Sequence, residues 1–600
     1  MAPRLPEKPP KSQGQIPYAA VPTRASSDSR SVRYSLGRQE TGEVSDFEDN
    51  DEFLGSGALP DAMEVSDNDT LYYGVSLGTR RRMGKGKGFW VTVVALVTVS
   101  MFGVVWLYFD GISWMRRSKK RNVILMISDG FGPASETMAR NFWQQTHKLP
   151  VGFMSPLDEI LVGSSRTRSS SSLVTDSAAG ATAFSCGLKS YNGAIGVMDN
   201  QAPCGTVLEA AKLQRKMRTG LVATSRITHA TPAAFSSHVM HRDMEDLIAE
   251  YQIGNYSLGP AVDLMFGGGR CHFNPQSAGA ESCRLDNRDL WSEAKQAGFR
   301  LLKDRKEFDK LEAKAETLPV LGSFALSHMD YDIDRNPTEQ PSLAEMSDKA
   351  LRILQAATKD SDSGFFLMIE GSRIDMAAHT NDPAAHVRDI IAYWDAVAVV
   401  RKFVDEHPDT VVISVSDHET GGFSVAKQLT TEYPEYLWNP HALEPVKHSI
   451  EFIAPQILAL GDKDDAKYTL VRDTVFPQWL GVPNATHDEI SAIAKETDSV
   501  RLRQLLSDAE SSRAQLGWST HGHSAVDVNL YAHGKDAHLL AGNHENTDIG
   551  HFIIDMLGLD LQAVTSLVRS DRVRQETAPV KEAWLGRRDL DAADHYPHLH

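Results

Sequence analysis

Four short runs in this chain are almost wholly apolar: NVILMIS (122–128), TGLVATS (219–225), GFFLMIE (364–370) and TVVISVS (410–416). A strand with one wet face alternates apolar and polar residues, and these do not. They read as strands buried on both faces, which requires helices above and below a mostly parallel sheet. Amphipathic stretches at 344–357 and 383–407 supply covering helices, the second with His386, Ile390, Tyr393 and Val397 spaced along one face. The fold class expected is therefore α/β, with a mostly parallel central sheet flanked by helices.

In an open α/β sheet, ligands bind beyond the carboxyl ends of the strands. Three of the four runs end there on groups that bind metals. The first leads into Asp129, the third ends at Glu370 and continues to Asp375 and His379, and the fourth leads into Asp417 and His418. Asp375 and His379 are four apart, so on a helix they share a face and can grip one ion. An aspartate after a strand is ordinarily a helix cap, but that plain reading weakens when several strand ends offer Asp, Glu and His together. Imidazole mixed with carboxylate suits zinc, and a carboxylate-and-hydroxyl set suits magnesium. Ser177 sits in VTDSAAGATAF (174–184), where small residues let a helix N-terminus approach an anion. No histidine adjoins it in sequence, so nothing local marks a serine–histidine pair, and metal coordination is the other way to make its hydroxyl a nucleophile.

The chain outside this region has a different character. Residues 1–88 are rich in Pro, Ser, Gly and charge and cannot bury enough surface to fold. An acidic stretch at 43–52 followed by Phe53 and Leu54 is either a solvated arm or a cytosolic sorting signal. Residues 89–109 carry no charge. As a helix they reach about 32 Å, enough for a bilayer core of about 30 Å. Trp90, Trp106 and Tyr108 lie near the ends, and basic clusters flank both sides, as headgroups favour. We expect one transmembrane helix at 89–109 and a basic linker at 110–121. The flanking charges tie, but all four cysteines and the acceptors Asn255 and Asn484 follow the span. They favour a cytosolic N-terminus and a lumenal C-terminal part, against one acceptor, Asn68, before it. Net charge is −17, from 62 basic and 79 acidic residues, which argues against nucleic acid as a partner. Cys271 and Cys283 flank a polar loop and are expected to pair, while Cys186 is expected to be a buried free thiol. Residues 425–515, rich in Tyr, Pro and polar residues, read as an insertion in a domain of 122–565, and 566–600 as a polar tail.

Five motifs, in order, resemble those of the alkaline phosphatase family, its fungal repressible vacuolar members above all. They are Ser128-Asp129-Gly130, the segment 174–182 around Ser177, Thr228 to Pro232, Glu370 to Asp375 with His379, and Asp417 to Gly421. The resemblance covers about 122–560. It implies that Ser177 is the nucleophile forming a phosphoserine and that Arg242 clamps phosphate. It implies a first zinc site of Asp375, His379 and one histidine of 520–523, taken as His523 rather than His521. A second zinc site would use Asp129, Asp417 and His418, and a magnesium site Asp129, Thr231 and Glu370. The cofactors implied are thus two zinc ions and one magnesium per chain. The implied activity is hydrolysis of a broad range of phosphate monoesters, small ones first and phosphorylated peptides as a further class. A homodimer, with 419–520 capping its interface, and a vacuolar membrane location with a C-terminal tail trimmed by a vacuolar protease are implied too. Two positions depart from the pattern: His229 stands where a bacterial form has aspartate, and Met376 where some members carry a positive group. A phosphodiesterase or sulfatase on the same scaffold is the alternative, but no C-x-P-x-R segment surrounds Ser177 and the third-site set is complete. An inactive membrane tether would have lost a ligand, and none is missing.

Overall fold

The computed structural model describes residues 120–569. The tail at 1–88, the expected span at 89–109, almost all of the linker and the residues after 569 lie outside the described residues. Among the described residues no single helix is long and apolar enough to cross a membrane.

The described strands are β1 (Asn122–Ile127), β2 (Leu161–Arg166), β3 (Arg218–Arg226), β4 (Leu264–Gly268), β5 (Arg300–Leu302), β6 (Val320–Ser323), β7 (Phe365–Glu370), β8 (Thr410–Val415), β9 (Glu419–Thr420), β10 (Ser424–Val425), β11 (Leu516–Gly517), β12 (His523–Ser524), β13 (Val528–Gly534) and β14 (Gly542–Glu545). Ten of them form one sheet in the order β14-β2-β13-β8-β1-β7-β3-β4-β6-β5. Only β13 runs against its neighbours β2 and β8; the remaining pairs are parallel. The four apolar runs are β1, β3, β7 and β8, adjacent at the centre. Every residue of β1, β7 and β8 is buried. Along β1, Ile124 and Met126 enter the core beneath one helical layer, and Val123, Leu125 and Ile127 the core beneath the other. That two-sided burial is why the sequence shows no alternation.

The first layer includes helices Pro133–Thr146, Leu343–Thr358 and Pro383–Glu406. Ser342 and Glu345 close a capping box at the second, and Asp382 with proline at the first position starts the third, as N-terminal chemistry favours. The other layer includes Ser177–Cys186, Val207–Arg215 and Asn546–Leu557. After β8 the chain leaves through β10 and returns through β11, which pair antiparallel. Between them, helices Ile450–Leu458, His487–Lys495 and Ser499–Ala514 enclose a separate small core with Ile453, Val475 and Leu506.

Cys271 and Cys283 form a disulfide, as expected. Cys186 does not remain a free thiol: it is bonded to Cys204. Helix Ser177–Cys186 ends at the left-handed Gly187, and the loop that follows doubles back to bring Cys204 beside it. Sequence spacing alone does not reveal that reversal.

Candidate active site

The carboxyl ends of β1, β7 and β8 converge, and the loops leaving them carry the predicted groups. Asp129 follows β1, with Gly130 in a left-handed turn at φ 72°. A Cβ there would come within 2.6 Å of the Asp375 backbone, so only glycine lets the two acidic loops approach. Glu370 is the last residue of β7, and the short helix Arg373–His379 presents Asp375 and His379 together. Asp417 and His418 follow β8. Ser177 opens its helix, whose Gly180 lies against Asp417; a Cβ there would stand 2.9 Å from that of Asp417. The small residues after Ser177 are thus a packing requirement of the site. All of these side chains are buried.

Three donor sets have ligand atoms within 4.8 Å of one another: Asp375 with His379 and His523; Asp129 with Asp417 and His418; and Asp129 with His229 and Glu370. In the first, His379 Nε2 is 3.0 Å from His523 Nε2 and 3.3 Å from Asp375 Oδ2. In the second, His418 Nε2 lies 3.2 Å from Asp417 Oδ2 and 3.5 Å from Asp129 Oδ1. Two ligand atoms about 2.0–2.1 Å from a tetrahedral ion stand roughly 3.3 Å apart, so both spacings fit one. His523 comes in on β12, which pairs with β9 beside His418, and its Nδ1 meets the Thr175 carbonyl at 2.8 Å. That leaves Nε2 facing the acids. His521 turns away to the His379 carbonyl and Gln504. Ser177 Oγ is 3.2 Å from His418 Nε2. Arg242 lies above the same helix start, with Nη1 3.3 Å from Asp176 Oδ2 and Nη2 3.0 Å from His229 Nε2. Asp176 caps the helix by accepting from Ala179 N and also accepts from Gly193 N. It therefore aims Arg242 and fixes Ser177 at once.

The electrostatics are those of a site short of positive charge. Burial pushes Asp129 far above the usual carboxylate range, and Asp417, Asp375 and Glu370 add to the effect. Burial raises Asp417 to about 8 and Glu370 to about 7. It also lowers His418 well below its ordinary value and His523 to about 4, keeping both imidazoles neutral as metal ligands require. For His379 burial acts downward too, but the Asp375 charge prevails and the group is raised. Both oxygens of Asp129, Oδ2 of Asp417, Oε1 of Glu370 and the Thr231 hydroxyl make no hydrogen bond. Buried carboxylates are normally satisfied by protein or water, so this donor set fits cations: imidazole-rich on one side, and carboxylate with hydroxyl around Glu370 on the other.

Two features went unread in the sequence. Thr420 donates to Asp375 Oδ1 and lies 3.2 Å from His418 Nδ1, joining the first two sets. Arg373, stacked on the Tyr331 ring, bonds Glu451 of the insertion at 2.9 Å. His229, the departure from the family pattern, stands within the third set. Thr420 belongs to the Asp417–Gly421 motif and is the more findable of the two. Met376 is buried, with Sδ 2.9 Å from Arg373 Nη1. The sulfurs near His272 are joined as a disulfide and hold no fourth set.

The chain is similar to known proteins over most of the described residues. The sequence profile of the alkaline phosphatase family matches residues 120–559. The repressible alkaline phosphatase of Saccharomyces cerevisiae is 45% identical over 518 residues, 82% of this chain and 91% of that enzyme. The alkaline phosphatase of Schizosaccharomyces pombe is 50% identical over 454 residues, 75% of this chain and 84% of that enzyme. Among solved structures, the cold-active alkaline phosphatase of a psychrophilic Shewanella superposes with TM-score 0.62 at 31% identity, covering 73% of this chain and 99% of its own.

Proposed function

Because the chain belongs to the alkaline phosphatase family, and is a phosphoric monoester hydrolase, we propose that it cleaves a broad range of phosphate monoesters through a phosphoserine on Ser177. The carrying observation is Ser177 Oγ at 3.2 Å from His418 Nε2, at the edge of two donor sets. Asp375, His379 and His523 would hold one zinc ion, Asp129, Asp417 and His418 a second, and Asp129, Thr231 and Glu370 a magnesium, with His229 able to join the last set. When bound, these ions supply Lewis acidity: they lower the pKa of hydroxyl groups and neutralise charge on phosphoryl oxygens.

The chain's own residues do the rest. Helix Ser177–Cys186 points its N-terminus at the phosphoryl group, and its dipole and free N–H groups favour that anion. Arg242, held by Asp176, offers its planar fork to two phosphate oxygens. Ser177 Oγ attacks phosphorus, the alcohol oxygen leaves and takes a proton, and water then attacks the phosphoserine to release phosphate and restore the hydroxyl. Phosphoryl transfer needs positioning and charge neutralisation more than contact with the leaving group, so broad specificity follows. Met376 places no positive group beside phosphate, which favours product release over tight binding.

We also propose that residues 89–109 anchor the chain in the vacuolar membrane with the catalytic domain lumenal, as a homodimer. Support comes from the uncharged run, the two disulfides beyond it, which suit an oxidising compartment, and the exposed acceptors Asn255 and Asn484. The dimer and the vacuole rest on family resemblance.

The test is hydrolysis of an aryl phosphate at alkaline pH. Ser177→Ala should lose on the order of 10⁴-fold or more in kcat, and activity lost on chelation should return with zinc and magnesium. Activity confined to diesters, or a fully active Ser177→Ala enzyme, would overturn the mechanism.

A further inference from the structure

The loop between helix Pro133–Thr146 and β2 is chemically unlike its surroundings. From Leu149 to Leu157 it reads LPVGFMSPL, without a charge, in a chain of net charge −17. At its tip Val151 is 97% exposed and Met154 51% exposed. Behind the tip, Trp143, Phe153 and Met154, with the buried Trp394 at the floor, line a cleft of about 440 Å³ that also includes the exposed Lys402, and the exposed Lys148 immediately precedes the loop. Exposed apolar surface of this kind marks a contact site. Of the cleft's other charged groups, Arg401 holds Glu159 and the Pro156 carbonyl, Asp405 pairs with His533, and Asp395 stands on the same wall.

Its place in the fold identifies the occupant. Arg401 lies near the end of helix Pro383–Glu406, which hands the chain to the entering end of β8. Asn122 N bonds the Asp409 carbonyl in that same turn, so the chain enters the domain there. The loop is therefore on the sheet edge opposite Asp129, Asp417 and Ser177. Only ten residues, 110–119, separate the uncharged run from residue 120, a reach of at most about 35 Å. Resting on the reading of 89–109 as a membrane anchor, we propose that the loop at Leu149–Leu157 docks the catalytic domain onto the bilayer surface. Val151 and Met154 enter the acyl boundary, the half-buried Trp143 sits at headgroup level, and Lys148 and Lys402 meet lipid phosphates. The active site then faces away from the membrane, open to soluble phosphate esters.

The test uses the full chain reconstituted in phosphatidylcholine–phosphatidylserine vesicles. All four cysteines are in disulfides, so Val151→Cys introduces a unique site for an environment-sensitive fluorophore. Tyr436→Cys, an exposed position in the insertion, is the control. Vesicle flotation is read first, then emission and quenching by lipids with brominated acyl chains. The expected result is flotation with a blue-shifted probe at 151 that loses most of its emission to brominated lipid, and an unshifted probe at 436. Flotation with both probes equally wet overturns the docking while leaving the anchor intact. A shielded probe at 151 that brominated lipid does not quench overturns it in favour of a protein contact. Failure to float overturns the anchor reading and the docking with it.

Discussion

The two edges of the central sheet treat buried acid in opposite ways. At the entering edge, Asp263, just before β4, accepts from Lys212 at 2.6 and 2.7 Å, from Thr219 N at 3.0 Å and Thr219 Oγ1 at 3.3 Å, and from Arg218 at 3.3 Å. Glu209, in the adjoining layer, takes His238, Tyr256 and Thr206 N. At the exit edge four carboxylates crowd together, and several oxygens there have no hydrogen-bond partner. The same chain can satisfy a buried carboxylate with lysine, hydroxyl and amide, and at the exit edge it does not. The difference is the signature of a site whose compensating charge comes from bound cations, and it makes the exit edge a place where function costs stability.

The sharpest way to break that contrast is to neutralise one acid at each edge. Asp417→Asn should lower kcat by more than the 10–100-fold typical of groups behind a metal ligand, with urea stability of the metal-free protein unchanged or improved. Asp263→Asn should leave kcat of the folded protein intact but cost about 1–2 kcal/mol, because the buried carboxylate's charge-assisted hydrogen bonds are lost while Lys212 and Arg218 keep access to water. Steady-state kinetics and urea unfolding read both. If Asp263→Asn is neutral and Asp417→Asn unfolds the chain, the edges have been assigned the wrong way round.

Proton binding offers a smaller, independent check. Burial first, and like charge second, lift Asp417 to about 8, and burial lifts Glu370 to about 7, both above ordinary carboxylate values. The folded metal-free chain therefore holds protons that the unfolded chain has released. The stability these groups contribute is fully present below about pH 4, where the unfolded chain is protonated too, and is lost as pH rises through 7 and then 8. The melting temperature of chelated protein should fall across that window, and zinc with magnesium should abolish the fall. A fall that persists in loaded protein would place its origin elsewhere.

Much of this was legible in the residues. β1, β3, β7 and β8 could be read because burial on both faces removes polar residues, and strand polarity then dictated where Asp129, Glu370 and Asp417 would meet. His523 was within reach only through the family resemblance, since nothing in the residues themselves separates it from His521. What escaped depends on chain reversals and cross-element contacts. Cys204 returns to Cys186 only through the loop after Gly187, and Glu451 reaches Arg373 from an insertion with its own core. Neither leaves a periodic trace. The role of Asp176 was hidden differently: a helix cap is the ordinary fate of an aspartate before a helix, and here the cap also aims Arg242.

Thr420 gives the finest probe of the exit edge, because its hydroxyl links two donor sets. It donates to Asp375 Oδ1, so its oxygen is left to accept from His418 Nδ1–H at 3.2 Å. That tautomer turns the His418 Nε2 lone pair towards Asp129 and Asp417. Removing the hydroxyl while keeping the branched shape frees the ring to choose the other tautomer and loosens Asp375. Thr420→Val should therefore weaken zinc retention about 10-fold, measured by competition with a chromophoric chelator, while kcat at saturating zinc changes less and Thr420→Ser restores retention. Equal retention in valine and serine variants would mean that packing alone orients His418, and that acids at this edge are held by the fold and not by the hydroxyl between them.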